Sequence, residues 1–230
     1  MNSPHKMKRL STADFAYEQL KERIIELVLI PSLHIKEEEL SQELNISRTP
    51  LRQALYRLES EGLTYKHANG RMFIADISIR DVQEVYSVRE QLECLIAREV
   101  SQNMTEDSLY HLEEKVASMK RAIEVQRSFE VIKLGADFHN VLYGLSTNKT
   151  AKRFLSQLHD QIERYRRVGG YKNPDYTPDV PLQEYTNLLQ SLKTKDADKV
   201  EESMRSHMKR SLVTLEKAVQ NFLASRGEER

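Results

Sequence analysis

Within Ser47-Arg48-Thr49-Pro50-Leu51-Arg52-Gln53-Ala54-Leu55, apolar and cationic residues fall on different faces of one short helix, which constrains the fold more than any other feature of the chain. Leu51, Ala54, Leu55 and Leu58 recur at i, i+3, i+4, i+7, the spacing of a stripe that faces a core. Arg48 and Arg52 stand one turn apart and project together from another face. Ser47 is placed to cap the N-terminus, and Pro50 is tolerated in the first turn, where its missing N–H has no helical partner.

The flanking segments decide how this helix is used. Lys36 to Leu44 has a short helical pattern with Leu40 and Leu44 inward, and Asn45-Ile46 leaves only a tight connection before Ser47, as in a helix-turn-helix. After Glu61-Gly62, the β-prone segments Leu63 to Lys66 and Arg71 to Ala75 flank His67-Ala68-Asn69-Gly70, and Asn-Gly between such segments signals a hairpin. A hairpin beside a helix-turn-helix is a wing, with Lys66, His67 and Arg71 at or near its tip. Tyr56 and Tyr65 are expected to pack rather than to contact a ligand.

Past Ala75 to Ser78 the pattern becomes helix after helix, so the chain is read as two domains, 1–76 and 77–230. Ser78 caps a segment to Gln102, with Val82, Val85, Tyr86, Leu92, Leu95 and Ile96 inward, and Thr105 opens another to Val125. Further helical patterns run Phe129 to Leu145, Ala151 to Val168, Pro181 to Leu192 and Asp196 to Ser225. The expected fold is therefore mainly α: an N-terminal winged helix-turn-helix with a small β-hairpin, followed by an all-helical bundle of about six helices. Val168 to Pro181 is longer than bundle loops usually are, and its Gly169, Gly170, Pro174, Pro178 and Pro181 suit either a mobile lid or an exposed strap.

Composition narrows the function classes. Lysine plus arginine and aspartate plus glutamate both number 35, so attraction to a polyanion has to come from local charge. The single cysteine, Cys94, has no internal partner and lies in an apolar helical pattern, as a buried free thiol would. No apolar run has the length of a membrane span, and Met1 to Arg9 lacks the apolar stretch of a secretory signal, so a cytoplasmic protein without a membrane partner is expected. Nothing in the sequence pairs a nucleophile with a base or builds a phosphate-cradling glycine loop, so no enzyme is expected.

Residues 12–75 resemble the winged-helix DNA-binding domain of the GntR family of bacterial transcription regulators, through Tyr17-Glu18-Gln19-Leu20, Glu39-Leu40, Ser47 to Leu55 and Glu61-Gly62-Leu63. Two positions depart from the family pattern: Pro31-Ser32 replaces the usual Pro-Gly turn, and Glu38 stands where some members carry a basic residue. The helical half is similar to the FCD ligand-binding domain of one GntR subfamily. The matching pieces are Val85-Tyr86-Ser87-Val88-Arg89 with Glu93, Asp137-Phe138-His139, Asp196-Ala197-Asp198 and Met204-Arg205-Ser206-His207.

This resemblance implies a cavity for a small-molecule effector, in many members built around a divalent metal held by one Asp and three His. His139 and His207 match two of those positions, whereas Gly135 and Tyr185 occupy the other two. Asp137 cannot substitute, because two residues along a helix it points away from His139. His139 and His207 are accordingly expected as hydrogen-bonded pocket histidines, with metal ligation as the alternative. Arg89 is expected either to bind an effector carboxylate or to pair with Glu93 at i, i+4, and Tyr185, His139 and His207 add hydrogen-bonding groups.

Together these readings describe a homodimeric regulator, in the expected role a repressor, that places two recognition helices in successive major grooves of a palindromic operator. The DNA contacts expected are Ser47, Arg48, Thr49 and Arg52 on the helix, with Lys66, His67 and Gly70 on the wing. The alternative is a helical ligand- or metal-binding protein whose winged domain no longer binds DNA.

Overall fold

The computed structural model describes residues 11–171, 173 and 175–228, so Met1 to Arg9 and Pro174 lie outside the described residues. The chain divides between Asp76 and Ile77 into two compact units. In the first, α1 (Thr12–Ile25), α2 (Glu37–Glu43) and α3 (Arg48–Ser60) precede a two-stranded antiparallel hairpin, β1 (Thr64–Lys66) and β2 (Met72–Ile74). Ser11 caps α1 through a reciprocal box with Asp14. Leu51, Ala54, Leu55 and Leu58 are all buried, against Ala16, Tyr17, Leu20 and Ile24 of α1 among others. Each fully buried leucine contributes about 2 kcal/mol relative to an exposed one, which pins the rotation of α3 about its axis.

The connection between α2 and α3 turns sharply because Asn45 adopts φ +52°, a left-handed conformation that asparagine tolerates better than most residues. Ser32, which replaces the family glycine, also sits at φ +62°, so the local turn is kept without the glycine. The segment just after it pairs with the outer edge of β2: Ile35 N donates to Met72 O at 2.8 Å and Ile74 N to Leu33 O at 2.9 Å. This covers an otherwise open strand edge. In the wing turn Gly70 N donates to His67 O at 2.8 Å, Asn69 keeps a negative φ, and Gly70 alone is left-handed at +82°. The Asn-Gly pair thus forms a turn followed by one left-handed residue, rather than a two-residue loop with positive φ at both centres.

The second unit comprises α4 (Ile79–Gln102), α5 (Glu106–Glu124), α6 (Ser128–Leu145), α7 (Lys149–Arg166), a π-helical stretch Arg167–Tyr171, α8 (Asp179–Lys193) and α9 (Ala197–Glu228). Ser78, Thr105 and Asn148 cap α4, α5 and α7 through their side chains. The α4 helix packs chiefly along α9, while α5 packs on α6 and α8, around a core that includes Phe138, Leu112, Met119, Leu142, Leu188 and Met204. No helix among the described residues is long and apolar enough to cross a membrane.

Three expectations need correction. Leu95 is 48% exposed rather than inward, because α4 buries Arg89, Glu93 and Cys94 on the face it turns to its neighbours. Tyr56 is exposed as well, with the Lys66 ammonium 6.0 Å from its ring centroid, whereas Tyr65 is half-buried and stacks on Phe73. Ser47 occupies the N-cap position of α3 with extended backbone, but its side chain makes no cap hydrogen bond.

Cys94 is buried, and burial pushes its thiol up to about 11. It should therefore resist a thiol-specific reagent in native buffer and react only on unfolding; rapid labelling of the native protein would contradict this packing.

Candidate functional site

The outward face of α3 presents Arg48, Thr49 and Arg52, all exposed, below the exposed Ser47. Neither guanidinium stands alone. Arg48 Nη2 lies 3.1 Å from Glu38 Oε2, and Arg52 Nε donates to Glu37 Oε2 at 2.7 Å. Arg57, on the same helix, is directed elsewhere: it lies over the Tyr17 ring at 3.5 Å and pairs with Asp14 and Glu61. The Tyr17 hydroxyl also donates to Glu61 at 2.8 Å, so Arg57 belongs to the packing of α1 on α3. On the wing, Lys66, His67 and Gly70 are exposed.

The helical unit contains a cavity of about 190 Å³. Arg89 of α4, His139 of α6, Tyr185 of α8 and His207 of α9 line it, so four helices bring together all four residues expected from the sequence. Arg89, His139 and His207 belong to one buried polar chain, and the Tyr185 ring packs against both imidazoles. The Glu93 carboxylate accepts from Arg89 Nε at 3.2 Å and from the Tyr143 hydroxyl, and faces His139 Nδ1 at 2.9 Å. At the other end Glu184 faces His207 Nδ1 at 2.8 Å and accepts from Arg210 Nε at 2.5 Å. The two imidazoles stack with their Nε2 atoms 3.4 Å apart. Each carboxylate fixes the neighbouring Nδ1 as the N–H donor, which turns both Nε2 atoms toward each other and the cavity. Arg89 pairs with Glu93, one of the two expectations, and also lines the cavity.

Burial alone would raise the Glu93 carboxyl, but the His139 imidazole and Arg89 guanidinium beside it hold it well below the usual carboxylate range. Burial likewise pushes His139 down to about 4 against the pull of Glu93, so the imidazole is neutral near pH 7. The Tyr185 phenol is raised by burial and stays protonated. Glu184 is lowered despite its own burial, through His207 and Arg210.

The residues present do not fit a divalent ion. Two imidazole nitrogens converge, one or two ligands short of an ordinary site. Among the described residues no three His, Cys, Asp or Glu side chains stand close enough to hold a metal. At Gly135 a Cβ would lie 2.5 Å from the Tyr185 hydroxyl, so the phenol occupies the space that a carboxylate at position 135 would need.

Glu184, Tyr143 and Arg166 also belong to the site and were not singled out from the sequence. Each is one polar residue in an amphipathic helix, and only the long-range packing turns it inward. The connection expected as a lid or strap begins as the π-helical stretch, where Gly170 passes so close to α6 that a Cβ would meet Ile132 Cδ1 at 2.1 Å. Gly169, Gly170, Asp175, Tyr176 and Thr177 line the cavity wall.

Comparison with known proteins matches residues 84–210 to the FCD domain and residues 12–74 to the family described as bacterial regulatory proteins, gntR family. The chain belongs to the GntR family, FCD subfamily. Regulators of this family bind DNA through the N-terminal unit. The chain is 26% identical over 194 residues to the HTH-type transcriptional repressor RspR of Escherichia coli (strain K12), covering 84% of this chain and 83% of that protein. It is 28% identical over 192 residues to the HTH-type transcriptional regulator YdhC of Bacillus subtilis (strain 168), covering 83% and 85%. The fold is similar to that of the solved E. coli McbR/YncC, at a TM-score of 0.71 and 21% identity over 91% of this chain and 99% of that one. A GntR regulator structure from Rhodococcus sp. RHA1 gives a TM-score of 0.70 at 16% identity, over 90% and 98% of the two chains.

Two outcomes follow from the cavity. Alanine normally gains about 1 kcal/mol over glycine inside a helix, but here its methyl meets the phenol, and such overpacking costs about 1–3 kcal/mol. Gly135→Ala should thus lower urea stability with Tyr185 present and raise it in a Tyr185→Leu background; the same sign in both would show that the phenol is not what the methyl meets. The second outcome concerns acid. An unfolded histidine binds its proton near pH 6.5 and folded His139 only at about 4, so the unfolded state takes up the extra proton between these values. Stability should fall as pH drops through that window, with Glu93 extending the loss at lower pH. Melts of the wild type and of His139→Asn at stepped pH test this, the variant having the flatter profile.

Proposed function

We propose that the chain is a homodimeric repressor that binds a palindromic operator and is controlled by a small carboxylate metabolite in the helical unit. The observation that carries the DNA contact is the exposure of Arg48 and Arg52 on a helix whose opposite face is wholly buried. In this reading Arg48 and Arg52 reach base edges or phosphates, while Ser47 and Thr49 donate hydrogen bonds at the helix N-terminus. Lys66, His67 and the backbone at Gly70 contact the adjoining backbone from the wing. Half-sites then lie about one helical turn apart, as the twofold symmetry of a dimer requires.

For the effector, the supporting arrangement is the convergence of Arg89, His139, Tyr185 and His207 on one cavity. Arg89 engages Glu93 through Nε, which leaves its terminal nitrogens for a planar anion in bidentate geometry. Tyr185 offers a hydroxyl and the two imidazoles offer Nε2 atoms, so a compact organic acid with one further polar group suits the volume and the donors. Such a ligand changes operator affinity only to the extent that it binds one arrangement of the dimer better than another.

Selection of bound duplexes from a random pool, with and without candidate organic acids, tests both halves of this proposal. A palindromic consensus is expected, and Arg52→Ala should weaken binding to it about 5- to 150-fold. Recovery of no consensus, or binding indifferent to salt, would support the reading in which the winged unit does not act on DNA.

A further inference from the structure

The cations of the recognition helix are held by an acidic turn from a different helix. The two bonds are separate: Glu38 to Arg48 at 3.1 Å, and Glu37 to Arg52 at 2.7 Å. Both carboxylates come from the first turn of α2, and all four side chains reach solvent, the least exposed being Glu37 at 31%. The third glutamate of that turn, Glu39, faces another way and binds Lys36 at 2.8 Å. The outward face of α3 therefore carries two neutralised guanidinium groups rather than two free charges.

That arrangement treats two kinds of duplex differently. Sequence-independent binding draws its affinity from cations that reach phosphates and release condensed counterions. A guanidinium that must first leave a carboxylate gains little from a single phosphate, and the carboxylate it leaves then faces the negative potential of the duplex. A guanine edge offers more, because its two acceptors match the fork of the guanidinium and discriminate about 5- to 150-fold against a wrong base. An exposed ion pair resists exchange by about fivefold or less, so the guanine edge outcompetes it and a lone phosphate does not.

Resting on the DNA-binding reading above, we propose that Glu37 and Glu38 are affinity-limiting residues of the DNA-binding face. They act as an exchangeable clamp that occupies Arg52 and Arg48 in the free protein and must be displaced before either guanidinium reaches DNA. Their role is to lower affinity for duplex: the operator complex must break both pairs, and off the operator the guanidinium groups are withheld from phosphates.

The test uses the full chain, a short random-sequence duplex and the selected operator, titrated by fluorescence anisotropy between about 50 and 200 mM salt. The variant Glu37→Gln/Glu38→Gln keeps side-chain size and removes both charges. It should bind the random duplex about tenfold more tightly, steepen the dependence of log K on log salt by about two, and gain at least as much on the operator, whose complex must otherwise break both pairs. Glu39→Gln, which removes an equal charge from the same turn but frees no guanidinium of α3, should leave slope and random-duplex affinity at wild-type values. Unchanged slope and random-duplex affinity in the double variant would overturn the clamp, as would a Glu39→Gln effect of the same size per charge. Failure of the wild type to bind either duplex would instead overturn the DNA-binding reading itself. Circular dichroism melts of both variants confirm the folded state; should the double variant not fold, Glu37→Gln and Glu38→Gln singly are expected to steepen the slope by about one each.

Discussion

The apolar stripe on α3 is the contact on which the DNA-facing unit depends. Leu51, Ala54, Leu55 and Leu58 are almost wholly removed from solvent, and no other rotation of that helix would bury all four. Because a helix is a rigid cylinder, fixing one face fixes the others. Arg48 and Arg52 face outward as a consequence of leucine burial, and their own ion pairs with α2 are too exposed to hold the helix in place.

The helical unit is organised by a buried charge. Glu93 sits at 0% exposure in the middle of α4, where an isolated carboxylate would be strongly unfavourable. Arg89, Tyr143 and His139 surround it and share its charge among three donors from two helices. That satisfied carboxylate orients His139, and His139 in turn meets His207, which Glu184 orients from α8. The cavity thus has polar groups whose directions are set by the packing of the helices. The phenol of Tyr185, wedged against Gly135, completes the wall and accounts for why a GntR cavity with two histidines in place need not be built around an ion.

Much of this was legible in the chain. Helix limits in the second unit agree with the sequence reading to within about three residues, because Ser78, Thr105 and the Gly- and Pro-bearing breaks are local signals. The recognition helix, the wing and the pairing of Arg89 with Glu93 are also local, each spanning only a few residues. Less legible were features that join distant segments. The strand-like pairing of residues 32–35 with β2 has no signature of its own, since it uses backbone groups that every residue carries. Leu95 reads as part of an apolar stripe, yet α4 turns a charged pair inward in preference, a choice made by Tyr143 and His139 on another helix.

Periodicity, capping residues and turn chemistry by themselves determined the two units, their element order and the segregation of charge on α3, because each is written within one or two turns of chain. Tertiary structure alone decided which side chains meet across helices. Glu37 and Glu38 reach across to α3, Glu184 reaches back to His207, and Tyr185 fills the space beside Gly135. The reason is physical: a side chain's neighbours across a helix interface depend on the relative rotation and offset of both helices, which the packing of the whole core sets at once.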